Sequence, residues 1–539
     1  MKSNYVPVLI VGGGLSGLAS ALFLAKHKID YLLIERHPTT AIHPKAGGIT
    51  FRTMELFRGL GLEKRIKSAG KVLENCRGRI AVHTIAEGNA EELERIKTLQ
   101  YESDEKLSRK IEEVSPSKIT ACYQITLEAM MLQKAQQLGG KQWFHHELVS
   151  YEQSDSGVVA TIRNRETKKE DTIHCDYVIA ADGAKSKIRK QLGILSEGRG
   201  TIGGHYMNIY FEADLSEFIK GDAVGFSMIL HPEVLGALIP VDNVSKWIYH
   251  VAYDPIKGEQ PKDFTIERCK RIIQTAIGST NIDPEIVSVL PWEATESTAA
   301  KFQDNRVFLV GDSAHIMPPT GGFGSNTGIQ DAHNLAWKLA AVIKGKANPK
   351  LLETYHEERY PVAKLTTGYA SSILFRAANR DEGNLNNMDS LAVTVGYQYC
   401  SEAIIDESTT PHRMDIVDLN GRPGTRAPHF WGTYEGNKVS ILDLLGSNFV
   451  LLTGAVHSAW TEAAHVVSSR LGVNIKVYLV GLTGDFIDQD NAFRKLYGIE
   501  HEGAIVIRPD GFIGWRTENV VLKPNVVLEE VMNNLLCNF

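Results

Sequence analysis

The chain has few cysteines, no block of basic residues and no hydrophobic stretch of membrane length, and each shortage removes a class of function. Its six cysteines, Cys76, Cys122, Cys175, Cys269, Cys400 and Cys537, lie far apart and form no CxxC pair. That spacing argues against a zinc framework, so no metal is expected, and it suits a reducing cytoplasm better than a disulfide scaffold. Lys and Arg total 58 against 64 Asp and Glu, a net charge of −6, so nucleic acid is not an expected partner. No stretch approaches the ~20 apolar residues that span a bilayer. The apolar run near the N-terminus is of strand length and flows straight into a turn, so a signal peptide is not expected either. At 539 residues, 43% of them hydrophobic and 23% charged, the chain reads as globular and too long for one core, with two or three domains expected.

What is present first is a nucleotide-binding start. Residues 6–11 are apolar and rich in β-branched side chains, the pattern of a buried parallel strand. They end in Gly12-Gly13-Gly14-Leu15-Ser16-Gly17, after which Leu18, Leu22, Leu24 and Ala25 repeat at helical spacing. A GxGxxG between strand and helix gives a tight turn, close approach of the backbone to a pyrophosphate, and free amides facing the phosphates. Gly12, Gly14, Leu15, Ser16 and Gly17 are therefore candidate dinucleotide contacts. A second strand over 31–34 ends at Glu35, placed for ribose hydroxyls; a βα turn that only packs leaves that acid unexplained. Arg36 follows, then the basic loop HPKAGGITFRTME from His43 to Glu55 and a helix over 54–60. A simple nicotinamide-binding unit runs on to its third strand here, so the insertion suits an extended dinucleotide gripped by further segments.

Two such segments follow. Residues 175–181 read as a strand ending in Asp182-Gly183, with 184–189 opening a helix. Residues 306–328 read RVFLVGDSAHIMPPTGGFGSNTG: a strand, an acid at its end, and a long loop of Pro, Gly, Ser, Thr and Asn. Carboxylates at strand C-terminal ends project into the crevice where α/β sheets bind ligands. Ile329, Ala332, Leu335, Ala336, Leu339, Ala340 and Ile343 then mark a helix.

The three fingerprints, GGGLSG at 12–17, DGAKSKIR at 182–189 and GDSAHIMPPTGGFGSNTGIQDAHNLAWKL at 311–339, resemble in kind and order the class A single-component flavin monooxygenases, the para-hydroxybenzoate hydroxylase family. The run RPGTRAPH at 422–429 and the C-terminal region resemble the subgroup acting on larger phenolics and aromatic polyketides, which includes aklavinone hydroxylase-like enzymes and rifampicin monooxygenase. The resemblance implies FAD as cofactor and NADPH or NADH as co-substrate, the latter without a Rossmann domain of its own. It puts Glu35 on the adenosine ribose and Arg36 near the adenine. Lys45 takes a pyrophosphate position usually held by Arg, Arg52 lies on the flavin side, and Gln124 and Asp312 meet the ribityl chain. Asp182 and Arg189 belong to the segment associated with both nucleotides. Gly311, Pro319, Gly322, Gly324, Ser325, Asn326 and Thr327 complete the set, with amides of 324–327 meeting negative charge near N1 and O2 of the flavin ring. Pro318 and Pro319 stiffen the loop.

The implied reaction is NAD(P)H- and O2-dependent hydroxylation of a phenolic or polycyclic aromatic substrate through a flavin hydroperoxide. Residues 204–212, 225–230, 236–240 and 246–253 read as antiparallel strands forming one wall of the substrate pocket. His205, Tyr206, His231 and His250 are unranked candidates for the base that deprotonates a phenol, a structural histidine being the commoner case; Trp292 and Phe323 are candidate walls. The fold class expected is α/β, a Rossmann-like FAD-binding domain (1–75, 115–200, 300–345) interleaved with an antiparallel-sheet substrate domain (76–114, 201–299). A helical segment and connector (346–438) leads to a thioredoxin-like domain (439–539) without redox cysteines, read as a scaffold. A homodimer is left open. The rivals are a flavin halogenase, disfavoured because Trp247 and Trp292 are isolated, an FAD-dependent oxidase or reductase without oxygen insertion, an FAD-binding sensor, and a monooxygenase that inactivates an antibiotic.

Overall fold

The computed structural model describes residues 5–74, 76, 78–88, 105–219, 225–377, 388–407, 417–454, 459–499, 502–518 and 520–539. Three sheets organise them. In the first, the strands run Gln303–Asp304, Val307–Leu309, Glu170–Ala180, Tyr5–Val11, Tyr31–Glu35, Lys141–Phe144, with the hairpin His146–Ser154 and Gly157–Asn164 attached. Tyr5–Val11 pairs in parallel with both Tyr31–Glu35 and Glu170–Ala180, and Val307–Leu309 pairs in parallel with the latter. Strands buried on both faces must be apolar throughout, and Val8, Leu9, Ile10, Leu33 and Val178 are all fully buried. Helices Leu15–Lys26, Gln124–Gln137 and Phe323–Ile343 cover this sheet and share its core.

The second sheet runs His315–Ile316, Glu285–Ala299, Ser196–Glu212, Lys246–Tyr253, Gly236–Pro240, Phe226–Ile229, Arg79–Val82. It differs from the expected wall in three ways. Phe226–Ile229 pairs in parallel with Arg79–Val82, so the sheet is mixed rather than antiparallel. The strand expected from 204 begins at Ser196, and its long partner Glu285–Ala299 was not foreseen. Its apolar residues are concentrated in its first half, and Pro291 and the largely polar run from Glu293 to Thr298 break the pattern of a single strand. One face, carrying Met207, Ile209, Phe211, Tyr249 and Val251, is sealed by helix Ile266–Ile277. Part of the stretch 76–114 assigned to this wall, residues 89–104, lies outside the described residues, and Ile111 packs instead with Phe51, Leu391 and Val395.

The third sheet runs Asn437–Ser440, Trp431–Tyr434, Phe486–Ile487, Ile475–Gly481, Phe449–Gly454, Ala504–Ile507, Ile513–Thr517. Its first strand begins inside the expected connector, at Trp431. Helices Ala459–Leu471 and Pro524–Leu535 pack on one face. The expected helix start at Ser458, and the segment 455–457 where a redox cysteine would stand, lie outside the described residues. The long helix Thr354–Ala377 crosses behind Phe323–Ile343.

Candidate active site

Because Tyr5–Val11, Tyr31–Glu35, Glu170–Ala180 and Val307–Leu309 are mutually parallel, the segments after all four open at one sheet edge. Gly12 needs its left-handed φ of 111°, and a Cβ there would stand 2.2 Å from the Ala181 carbonyl oxygen. Gly311, at φ 65°, lies so close to the first helix that a Cβ would meet the Ser16 hydroxyl at 2.1 Å. The first and third fingerprints therefore touch at Ser16. Gly14 caps helix Leu15–Lys26 with no side-chain bond, leaving the amides of Leu15, Ser16 and Gly17 open.

Glu35 Oε2 accepts from the Gly13 N–H at 2.7 Å, and Oε1 from the His37 N–H at 2.9 Å. Arg36 and Lys45 are exposed; the Arg36 carbonyl accepts from Arg165 at 2.9 Å. Gln124 donates from Nε2 to Glu128 Oε1 at 2.6 Å, and Ala41 N–H donates to the other oxygen of Glu128 at 2.8 Å. With one of its two amide N–H donors held by Glu128, Gln124 is oriented to present its carbonyl oxygen, an acceptor suited to a hydroxyl. Burial pushes the Glu128 pKa up, opposed by the Ala41 amide, Gln124 and the charge of Lys45. Glu128 was missed in the sequence; its only signal is its position one turn beyond Gln124 in QITLE.

Asp182 spends Oδ2 on the amides of Lys187 and Ile188, at 2.9 and 3.2 Å, while its Oδ1 is buried without a partner. Arg189 bridges the second and third fingerprints, donating to the carbonyls of Ser313 at 2.7 Å and Ala184 at 3.2 Å. Asp312 is open on one side and accepts no hydrogen bond among the described residues. Enclosure by the surrounding chain raises its pKa, with His315 and Lys45 opposing. Asp331, also missed, pins this loop from below: its Oδ2 accepts from the Gly311 N–H at 3.2 Å and from His315 at 2.7 Å, its Oδ1 from Arg359 at 2.8 Å. Burial alone would raise Asp331, but His315 and Arg359 hold it below the usual carboxylate range.

Two expectations need correction. Helix Phe323–Ile343 is capped by Gly322, so its open amides are those of Phe323, Gly324 and Ser325. The amides of Asn326 and Thr327 turn back to carbonyls one turn earlier. Asn326 acts through its side chain instead, donating to the carbonyls of Gly48 at 3.0 Å and Gly322 at 2.7 Å and accepting from the Thr50 N–H at 3.0 Å. It staples the 43–55 loop to the helix start. Pro319 is exposed beside this start. Arg52 does not join the cleft: it is buried with Glu55 at 2.7 Å and donates to the Asp510 carbonyl at 3.3 Å, because helix Phe51–Arg58 turns it toward the third sheet.

Strand register sorts the substrate-side candidates. Met207, Ile209 and Phe211 face the helix-covered core, so His205, on the same alternation, points away from the cleft, beside Glu293 and Tyr253. His231 sits at the sheet edge with its ring 4.9 Å from that of His83. Tyr206, Asn208, His250 and Trp292 share the other face, on adjoining strands. That face meets the FAD-side segments: Tyr123 donates its hydroxyl to the Pro240 carbonyl at 2.7 Å, and His43 lies 2.5 Å from the Ser288 hydroxyl. Tyr206 stacks on Trp292 with ring centroids 4.5 Å apart. Trp292 Nε1–H donates to His250 Nδ1 at 2.9 Å, which puts the His250 proton on Nε2. Burial, with His43 nearby, lowers His250 to about 4. His43 Nε2 and Asn208 Oδ1 are buried without partners. His43 carried no sequence signal, since its contacts come from a strand almost 250 residues away.

The donor set fits FAD: open amides at two helix starts, a cation at Lys45, an orphaned Asp182 oxygen and an unbonded Asp312 carboxylate converge where a dinucleotide would lie. Residues 5–369 match the FAD-binding domain family and residues 420–537 the C-terminal family of aromatic-ring hydroxylases. The chain belongs to the FAD-dependent aromatic-ring hydroxylases. It is 38% identical over 536 residues to tetracenomycin A2 monooxygenase-dioxygenase of Streptomyces glaucescens, covering 96% of this chain and 94% of that one. It is 36% identical over 549 residues to 4-methyl-5-nitrocatechol 5-monooxygenase of a Burkholderia species, covering 99% and 98%. A crystal structure of aklavinone-11 hydroxylase with FAD and aklavinone superposes over 100% of both chains with a TM-score of 0.88 and 32% identity.

Proposed function

We propose that the protein hydroxylates a polycyclic phenol at the expense of NAD(P)H and O2. The observation that carries this is the facing of two surfaces, the cleft lined by Asp182, Asp312 and the amides of 323–325 and the sheet face bearing Tyr206, Asn208, His250 and Trp292. FAD bound there would supply the redox chemistry, with NAD(P)H as electron source and O2 as oxygen donor. In balance, a ring C–H, O2, NAD(P)H and a proton give a ring C–OH, NAD(P)+ and water. The chain's part is orientation and exclusion of water. The Tyr206–Trp292 stack offers a flat apolar floor for an aromatic substrate. His250, neutral and protonated on Nε2, donates a hydrogen bond to a substrate oxygen rather than taking its proton. The open amides of 323–325 would hold the flavin and favour negative charge placed on it.

Polycyclic substrates are favoured by the tetracenomycin and aklavinone enzymes among the relatives; the nitrocatechol enzyme favours a monocyclic phenol as the second reading. We assign 1–75, 115–200 and 300–345 to the FAD-binding domain and the second sheet to substrate. We read 439–539 as thioredoxin-like, supported by the order Ile475–Gly481, Phe449–Gly454, Ala504–Ile507, Ile513–Thr517, with the first pair parallel and the others antiparallel. A reducing, cytoplasmic setting is supported by six free cysteines. A homodimer is proposed on the resemblance alone, with light scattering as its test.

The test of the activity is NADPH and NADH oxidation by the FAD-loaded protein with a panel of polycyclic and monocyclic phenols under labelled O2. Substrate-stimulated oxidation with one labelled oxygen in the product is expected. Oxidation unaffected by any phenol, with no label incorporated, overturns the reading.

A further inference from the structure

We propose that a second cavity, at the far end of helix Leu15–Lys26 from the dinucleotide amides, binds a phosphate-sized oxyanion between the FAD-binding and third-sheet regions. The cavity, of about 230 Å³, is open to solvent and its charged lining comprises Lys26, Arg52, Arg58 and Arg426 together with Glu55, Asp443 and Asp510. Four cations thus face three carboxylates. Asp510 is already paired with Arg508, and Asp443 is held at 2.6 Å by Arg58, which also binds Glu63. Glu55 is shared by Arg52 at 2.7 Å and Arg426 at 3.5 Å. The lining is left net positive and short of acceptors.

The shortage is visible atom by atom. Nε of Arg52 and Nε of Arg426 are buried without a partner, on side chains 5% and 1% exposed. Lys26, at the C-terminal end of the first helix, has no hydrogen bond or ion pair among the described residues, so all three of its ammonium donors are free. Burial lowers its pKa to about 8, leaving it charged at neutral pH. Guanidinium donors buried without partners are costly unless an anion meets them, and the half-buried, unpaired Lys26 ammonium adds a further cation beside them. The chain also leaves space for its head group: a Cβ on Gly59 would stand 3.2 Å from Lys26 Nζ, and one on Gly446 2.9 Å from it. Gly59 comes from the FAD side and Gly446 from the third sheet, so an anion here ties the two together. Lys26 is at the opposite end of its helix from the amides of 15–17, which separates this site from the dinucleotide.

The shared ligand chemistry is a phosphate dianion or monoanion, free or as a small phosphate monoester. The experiment is calorimetric titration of FAD-saturated, full-length protein in phosphate-free buffer, ionic strength held with potassium gluconate, by inorganic phosphate and separately by glycerol 3-phosphate. One saturable site is expected. Lys26→Met weakens it by roughly tenfold or more, the size of one lost charge-assisted bond, while flavin content and absorbance stay unchanged. Gly59→Ala, which keeps every charge and crowds the ammonium, also weakens it; Lys64→Met, an exposed neighbour, does not. Binding of inorganic phosphate alone identifies the free ion as ligand, and equal Lys26-dependent binding of the ester identifies a metabolite. No saturable heat with either, or undiminished binding in both Lys26→Met and Gly59→Ala, overturns the proposal.

Discussion

The Glu35 carboxylate closes directly on the glycine loop, Oε2 accepting from the Gly13 N–H at 2.7 Å. A carboxylate oxygen has a second lone pair, so this bond orients the acid while leaving capacity for a ribose hydroxyl. Glu35→Gln replaces one acceptor by a donor that repels the Gly13 N–H. FAD affinity is expected to fall by roughly ten- to a hundredfold, measured by flavin fluorescence on titrating apoprotein. An unchanged dissociation constant would remove Glu35 from the cofactor set.

Gly311→Ala tests the contact between the first and third fingerprints. The added methyl would meet Ser16 at 2.1 Å in a backbone conformation unfavourable to alanine. We expect a loss of about 1–3 kcal/mol in stability and purification largely without flavin, read by urea unfolding and by the absorbance ratio at 450 and 280 nm. Full flavin occupancy and wild-type stability would show that the loop can shift freely.

His250 and Trp292 separate hydrogen-bond donation from base catalysis. With His250 lowered to about 4, its titration lies below the working range. His250→Phe is expected to lower kcat/KM by about tenfold or more while leaving the shape of the pH profile between 6 and 9 unchanged. Disappearance of an acid limb near neutrality in the variant would instead make His250 the base. Trp292→Phe frees Nδ1 and is expected to mimic part of the loss.

Buried and neutral histidines make stability depend on acid. Burial, with Lys26 and Lys344 adding repulsion, holds His27 at about 3, and burial holds His43 at about 4 and His429 at about 4. In the unfolded chain each titrates near ~6.5. The folded state therefore binds fewer protons in that window, so stability is full above pH ~6.5 and falls as pH drops toward 4. The slope is expected to be shallower in His27→Gln by up to about 1.4 kcal/mol per pH unit, followed by thermal unfolding at intervals between pH 7.5 and 4.5. A flat Tm across that range would contradict these assignments.

Glu358 is the hub of a fully buried cluster. It accepts from Arg508 at 2.6 and 2.8 Å, from Lys338 at 2.8 Å and from Asn334 at 2.7 Å. Burial opposes its ionisation, but Arg508 and Lys338 hold its pKa far down. Removing one member strands the other charges, so Glu358→Gln is expected to cost about 3–5 kcal/mol, seen as a lower urea midpoint. A change within experimental error would mean that the cluster admits solvent.

The fingerprints were legible because each is contiguous: strand, turn and helix start lie in one short stretch whose glycines and acids have local geometric reasons. What stayed hidden depends on distant pairing. Whether His205 or His250 faces the cleft is a matter of strand register, and one residue of shift reverses it. Glu285–Ala299 is interrupted by Pro291 and turns largely polar in its second half, so it does not read as one long strand. Arg52 and Asn326 sit within recognisable motifs, yet their contacts come from Asp510 and Thr50, on segments that the sequence does not place beside them.

Helix Phe323–Ile343 has its open amides at one end, while farther along Asn334, Trp337 and Lys338 are gripped by Glu358 and by Asp510 from the third sheet. The helix is thus a shaft with both ends loaded, and its tip cannot tilt without dragging the tail. Asp510 thereby ties the third-sheet region to the helix whose tip lines the cleft, so a chain shortened to its first 380 residues is expected to retain every nucleotide fingerprint and lose this brace.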